Sequence, residues 1–197
     1  MWRQTQKRPL LWLLSFSFLS ALSSLFIPYV NPDEGIWMAM AKFAFSPEIY
    51  ISLKDHKPPF LFQFYWLLSL GGQSAMAVHF LSAAWSGFGA YFMYKSLRFF
   101  SSKELSLLIA CLFALSSGLL NQSTFCSEKA YIPILWAGTY LALAHANKKK
   151  GSLCFLIGFS IGLCCAAAVG LKQPAAILCL FPVIIALQQS KQRIMIL

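Results

Sequence analysis

Long apolar runs separated by short polar segments dominate the hydrophobic pattern of this chain. A run of about 20 apolar residues is enough for a helix to cross the hydrocarbon layer of a membrane, which is about 30 Å thick. Six runs approach or exceed that length, at residues 10–28, 75–96, 104–121, 130–146, 152–170 and 174–188. The pattern therefore predicts an all-α polytopic membrane protein with about six transmembrane helices.

Composition supports this interpretation, because 58% of the residues are apolar and only 11% are charged. The mean hydropathy is +0.65, and such values are typical of integral membrane proteins. The net charge of +10 comes largely from basic residues that gather on one side when the N-terminus is placed in the cytoplasm. We therefore expect no nucleic-acid partner, and we expect a multi-pass protein of the plasma (inner) membrane.

The segment 29–74 between the first two long runs predicts two interfacial helices in an outer loop. Asn31 and Pro32 are typical of a helix start, and the helix that follows carries apolar residues along one face. A second helix is predicted to begin at Pro58–Pro59 and to end before Gly71–Gly72. The whole chain, 1–197, is predicted to be a single domain.

Charged residues cluster in this loop, and they are the first candidates for chemistry. Asp33 and Glu34 lie at the predicted helix start, where Glu34 can instead serve as a capping residue and Asp33 can interact with the helix dipole. A cationic segment follows at Lys54 to Pro59, and Glu128 lies in the next predicted outer loop. Three charged segments facing one compartment favour a functional site.

This ordered set resembles the polyprenyl-phosphate-sugar-dependent glycosyltransferases of the GT-C type, in particular the aminoarabinose transferase and protein O-mannosyltransferase group. The resemblance extends over nearly the whole chain and corresponds to the N-terminal half of such an enzyme. The matching motifs are Asp33-Glu34, Asp55-His56-Lys57-Pro58-Pro59, Glu128 within Ser127–Ala130, and Lys172-Gln173-Pro174.

The resemblance implies transfer of a sugar from a polyprenyl-phosphate donor to a lipid, glycan or protein acceptor on the outer face of the membrane. It implies Asp33 as the catalytic base, because a carboxylate can accept the proton of an attacking hydroxyl. The resemblance also implies that other carboxylates bind the substrate and that ammonium groups bind the donor phosphate. The substrate-binding carboxylates are Glu34, Asp55 and Glu128. The phosphate-binding lysines are Lys57, Lys172 and the weaker candidate Lys54.

Several features of the sequence leave alternatives open. His79 stands where the family usually has an arginine, so the contact made there by a permanent charge is open, and a hydrogen-bonded core histidine is the favoured interpretation. No metal or other cofactor is expected, and the chain is expected to be incomplete at its C-terminal end. The alternatives are a transporter or lipid flippase, whose ionisable groups would line a substrate path, and an inactive fragment of the fold.

Overall fold

The computed structural model describes residues 8–22, 32–46, 57–119, 127–146 and 152–194, and the regular elements in these ranges are all helices. This agrees with the all-α prediction. The helices are α1 (Pro9–Ser20), α2 (Pro32–Ala41), α3 (Pro59–Leu68), α4 (Ala75–Leu97), α5 (Lys103–Leu119), α6 (Ser127–Ala146), α7 (Ser152–Leu171) and α8 (Ala175–Ile194).

Proline, serine and glycine set the helix boundaries near the candidate site. Pro32 and Pro59 are the first residues of α2 and α3, which confirms both predicted starts. Proline suits this position because it lacks the N–H that the first turn of a helix would leave unpaired. The hydroxyl of Ser74 accepts a hydrogen bond from the backbone N–H of Ala77 at 3.1 Å and so caps α4.

A tight turn joins α3 to α4. Leu70, Gly71 and Gly72 all have positive φ, at 54°, 81° and 81°, a region that favours glycine. The hydroxyl of Ser69 accepts a hydrogen bond from the N–H of Gly72 at 2.8 Å. The turn therefore has a defined geometry, and it fixes α3 relative to α4.

Helix α6 lies at the centre of the bundle and packs against α4, α7 and α8, while α1 packs against α4 and α5. The short helices α2 and α3 pack against each other, and α3 also contacts α7 and α4. At one close approach, a Cβ added to Gly89 of α4 would lie 2.9 Å from the ring of Pro133 in α6. Only glycine allows the two helices to approach so closely at this point.

Two groups of buried apolar residues form the core. The larger one joins α2, α3, the start of α4, α6, α7 and α8, and it includes Trp37, Met40, Phe62, Tyr65 and Leu171. The smaller one joins α1, α4 and α5 around Leu13 and Leu107. The candidate site lies within the larger group, where the two short helices meet the long ones.

The prediction of a polytopic membrane fold is contradicted, and so is the multi-pass location in the plasma membrane. Across the described ranges, no helix combines the length and the apolar character that crossing a membrane requires. Helices α1 and α3 have 12 and 10 residues, so they extend only about 18 and 15 Å. Helix α4 has 23 residues, but His79, Lys95 and several serines and glycines lower its mean hydropathy.

Large apolar side chains are nevertheless exposed on α7 and α8. Phe159, Leu163, Ile177 and Phe181 are each more than half exposed. Exposed apolar side chains on two neighbouring helices favour association and aggregation. An amphipathic polymer covers such side chains in experiments on the purified chain.

Candidate functional site

A buried carboxylate and a buried histidine form the most unusual contact in the described structure. Glu34 is 0% exposed and His79 is 1% exposed. The Nε2 atom of His79 lies 2.9 Å from Oε1 of Glu34, so the ring N–H donates a hydrogen bond to the carboxylate. Burying a charged carboxylate costs several kcal/mol unless it is paired. The pair therefore holds α2 against α4 at a defined position.

Tyr65 of α3 is the third member of this cluster. Its side chain is fully buried, and burial raises its pKa well above the ordinary value, with a further contribution from the nearby Glu34 carboxylate. Trp37 packs edge-on against it, with the ring centroids 5.9 Å apart. The phenol therefore stays neutral at ordinary pH, and the cluster brings together one residue from each of α2, α3 and α4.

Local sequence explains why these side chains point inward. Buried residues of α3 recur at Leu61, Phe62, Tyr65 and Leu68, the spacing of one helix face. Val78 and His79 are buried on α4 just after the tight turn. The turn thus places the inner face of α3 and the first residues of α4 on either side of Glu34.

The two predicted phosphate-binding lysine segments are neighbours in the fold. A Cβ added to Gly170 of α7 would lie 3.2 Å from the ring of Phe60 in α3. Lys57 precedes Phe60 by three residues, and Lys172 follows Gly170 by two. Both lysines are half-buried. The structure therefore brings together the backbone of two segments that are more than 100 residues apart in the sequence.

The remaining predicted residues fall outside the described side chains. Asp33 lies in α2 and Glu128 lies in α6, but their side chains are outside the described part of the structure. Lys54 and Asp55 lie in a segment that is outside it altogether. Their proposed roles, and that of Glu34 in substrate binding, stay predictions. In this structure Glu34 is fully buried and hydrogen-bonded to His79.

The prediction of a hydrogen-bonded core histidine at position 79 is confirmed. Sequence analysis did not single out Tyr65 or Lys129. Tyr65 could have been found as the polar member of the apolar face of α3. Lys129 is 8% exposed and lies next to Ala130 and Tyr131 of the larger core. A lysine in the first turn of α6, directly before its apolar stretch, was the available signal for it.

Among the described residues, no three histidine, cysteine, aspartate or glutamate side chains come close enough together to hold a metal ion. The expectation that no metal is required stays a prediction. Comparisons with known proteins found no matching family model, no matching curated protein and no matching solved structure. The function of the chain must therefore be inferred from its residues and their geometry.

Proposed function

We propose that the chain is a glycosyltransferase that takes a sugar from a polyprenyl-phosphate donor and passes it to a hydroxyl acceptor. One observation carries the proposal: the contact between Phe60 and Gly170 makes neighbours of the segments that hold Lys57 and Lys172. Both segments adjoin the core in which Glu34 is buried, and Asp33 is the residue directly before Glu34. A carboxylate on α2 and cations on two neighbouring segments suit this reaction.

In the proposed reaction, the acceptor oxygen attacks the anomeric carbon and gives its proton to the carboxylate of Asp33. The bond between the anomeric carbon and the phosphate oxygen breaks, and its electron pair leaves with the polyprenyl phosphate. Lys57 and Lys172 stabilise the negative charge that develops on this leaving group. Lys54 assists them, and Asp55 and Glu128 orient the substrates.

The buried Glu34–His79 pair has a positioning role in this proposal. Glu34 and Asp33 are consecutive residues in the first turn of α2, so the hydrogen bond to His79 fixes the backbone that carries the base. Displacement of a catalytic group by about 1 Å can lower a rate 100-fold. A permanent cation at position 79 is therefore not required, because the His79 ring already contacts this carboxyl group at 2.9 Å.

Transfer of labelled sugar from a polyprenyl-phosphate donor to a panel of hydroxyl acceptors tests the proposal. Asp33→Asn is expected to lower the rate by at least about 100-fold, within the usual contribution of a general base. Glu104→Gln is the matched control, because it also removes one carboxylate charge but at the start of α5, away from the cluster. It is expected to retain the wild-type rate.

The two lysines provide a second measurement. Lys57→Ala and Lys172→Ala are each expected to weaken productive donor use about 10-fold or more, because each removes a charge-assisted contact to phosphate. Lys42→Ala, which removes an exposed lysine just after the end of α2, is expected to have little effect. Absence of transfer by folded wild-type chain would overturn the proposal and favour an inactive fragment. Equal effects of all three lysine changes would overturn the assignment of the phosphate site.

A further inference from the structure

A second polar site lies at the far end of α4. Its cavity has a volume of about 240 Å³ and is lined by Tyr94, Lys95, Arg98, Phe99 and Tyr140. Lys95 follows His79 by sixteen residues, which corresponds to about 24 Å along a helix. The cavity is therefore separate from the candidate glycosyltransferase site, and its capacity to bind a ligand does not depend on glycosyltransferase activity.

Among the described residues that line this cavity, two are cations and none carries a carboxylate. The ammonium nitrogen of Lys95 lies over the ring of Tyr140, 5.4 Å from its centroid. Nη1 of Arg98 donates a hydrogen bond to the backbone carbonyl of Ser101 at 3.0 Å. A guanidinium group has five N–H donors, so this bond orients Arg98 and leaves donors for a ligand.

The phenol of Tyr94 adds a neutral donor beside the cations. Its side chain is only 6% exposed. Burial raises its pKa, although Arg98 and Lys95 act in the opposite direction, and Glu104 of α5 contributes a small increase. The hydroxyl therefore keeps its proton at neutral pH and can donate it in a hydrogen bond.

The cations also have a structural explanation, because basic residues in the last turn of a helix interact favourably with its dipole. The interaction with the helix dipole does not require Lys95 and Arg98 to line one cavity together with the two tyrosines. A phosphate group accepts hydrogen bonds from guanidinium and ammonium groups at close range. It also accepts hydrogen bonds from phenols. The combination fits a phosphate better than an uncharged ligand.

We propose that this cavity binds the phosphate group of a ligand, through Arg98 and Lys95 with hydrogen bonds from Tyr94 and Tyr140. The phosphate comes either from a free phosphorylated compound or from the headgroup of an anionic phospholipid. Both sources present the same chemistry to the cavity, and the experiment separates them.

The full chain, kept in solution with an amphipathic polymer, is titrated with inorganic phosphate in a calorimeter. In a second arm, it is tested for flotation with phosphatidylcholine vesicles that contain or lack phosphatidylglycerol. Arg98→Gln and Lys95→Gln are each expected to weaken binding about 10-fold, the usual effect of one charge-assisted hydrogen bond. Lys103→Gln is the matched control, because it removes a nearby charge that does not line the cavity.

Arg98→Lys keeps the charge and is expected to retain most of the binding, which separates a lost contact from a misfolded variant. Calorimetric binding with the expected variant effects supports a free phosphorylated ligand, and flotation alone with the same effects supports a lipid headgroup. Absence of binding in both arms would overturn the proposal. It would also be overturned if Lys103→Gln weakened binding as much as Arg98→Gln, because a diffuse positive surface would then explain the result.

Discussion

The turn between α3 and α4 offers a sharp test of how the candidate site is held together. Gly72 has a φ of +81°, and a Cβ added to it would lie 2.9 Å from the backbone oxygen of Met38 and 2.8 Å from Cγ of Lys42. The lysine side chain can move, but the backbone oxygen belongs to α2. Alanine at position 72 therefore combines an unfavourable backbone conformation with a clash against the helix that carries Glu34.

Two other glycines separate these effects. Gly71 has the same φ of +81°, but the nearest atom to its added Cβ is at 3.5 Å, in the side chain of Trp66. Gly158 lies inside α7, and its added Cβ meets no atom within 4 Å. Gly71→Ala thus introduces the backbone cost alone, and Gly158→Ala introduces neither cost.

The expected magnitudes follow from these contacts. Gly71→Ala should lower the free energy of unfolding by about 1 kcal/mol, the cost of a left-handed conformation for a residue with a Cβ. Gly72→Ala should lower it by about 2–4 kcal/mol, because forcing atoms into a packed site adds about 1–3 kcal/mol. Gly158→Ala should raise it by about 0.5–1 kcal/mol, since alanine is the better helix former.

Chemical denaturation of the three variants, followed by circular dichroism, measures these differences. Near-ultraviolet spectra report whether the packing of the aromatic side chains, Trp37 and Tyr65 among them, survives. The order expected for unfolding free energy, from highest to lowest, is Gly158→Ala, wild type, Gly71→Ala and then Gly72→Ala. Equal stabilities for Gly71→Ala and Gly72→Ala would refute the close contact between the turn and α2.

Three further predictions concern other parts of the bundle. His79→Ala should destabilise the fold by about 3–5 kcal/mol, because it leaves a buried carboxylate unpaired, and adding Glu34→Gln should recover part of that loss in a double-mutant cycle. Gly89→Ala should lower the thermal midpoint through its clash with the α6 proline ring, whereas Gly162→Ala, with open space around it, should not. Burial raises the pKa of the Cys179 thiol to about 12. Because only the thiolate reacts, Cys179 should alkylate slowly at pH 8 and about tenfold faster for each pH unit above it. A rate independent of pH would contradict this.

Local signals made the helices predictable, whereas contacts between distant segments were not predictable. Prolines 32 and 59 and the glycine pair at 71–72 mark boundaries through their own backbone preferences, so the helix starts followed from the sequence. The contact of Glu34 with His79 joins residues 45 positions apart, and a capping role explained Glu34 equally well. Only the three-dimensional packing distinguishes these two roles.

The error about the membrane has a related cause. Mean hydropathy averages over residues regardless of where the fold places them, and an apolar run such as 10–28 by itself predicts one continuous helix. In the described part of that run, helix α1 ends at Ser20. The segments that hold Lys57 and Lys172 illustrate the same limit, because their contact through Phe60 and Gly170 depends on how α3 meets α7.

The arrangement of Glu34, Tyr65 and His79 also bears on the order of folding. Tyr65 and His79 are separated by only 14 residues and a tight turn, whereas Glu34 joins them across a separation of 45 residues. The entropy of closing the longer loop exceeds that of the shorter one by about 1 kcal/mol, and local contacts generally form sooner. The α3–α4 hairpin is thus expected to form first and to act as the surface on which α2 docks. Extra residues inserted between α2 and α3 should then slow docking only slightly, because each doubling of a loop costs about 0.6 kcal/mol.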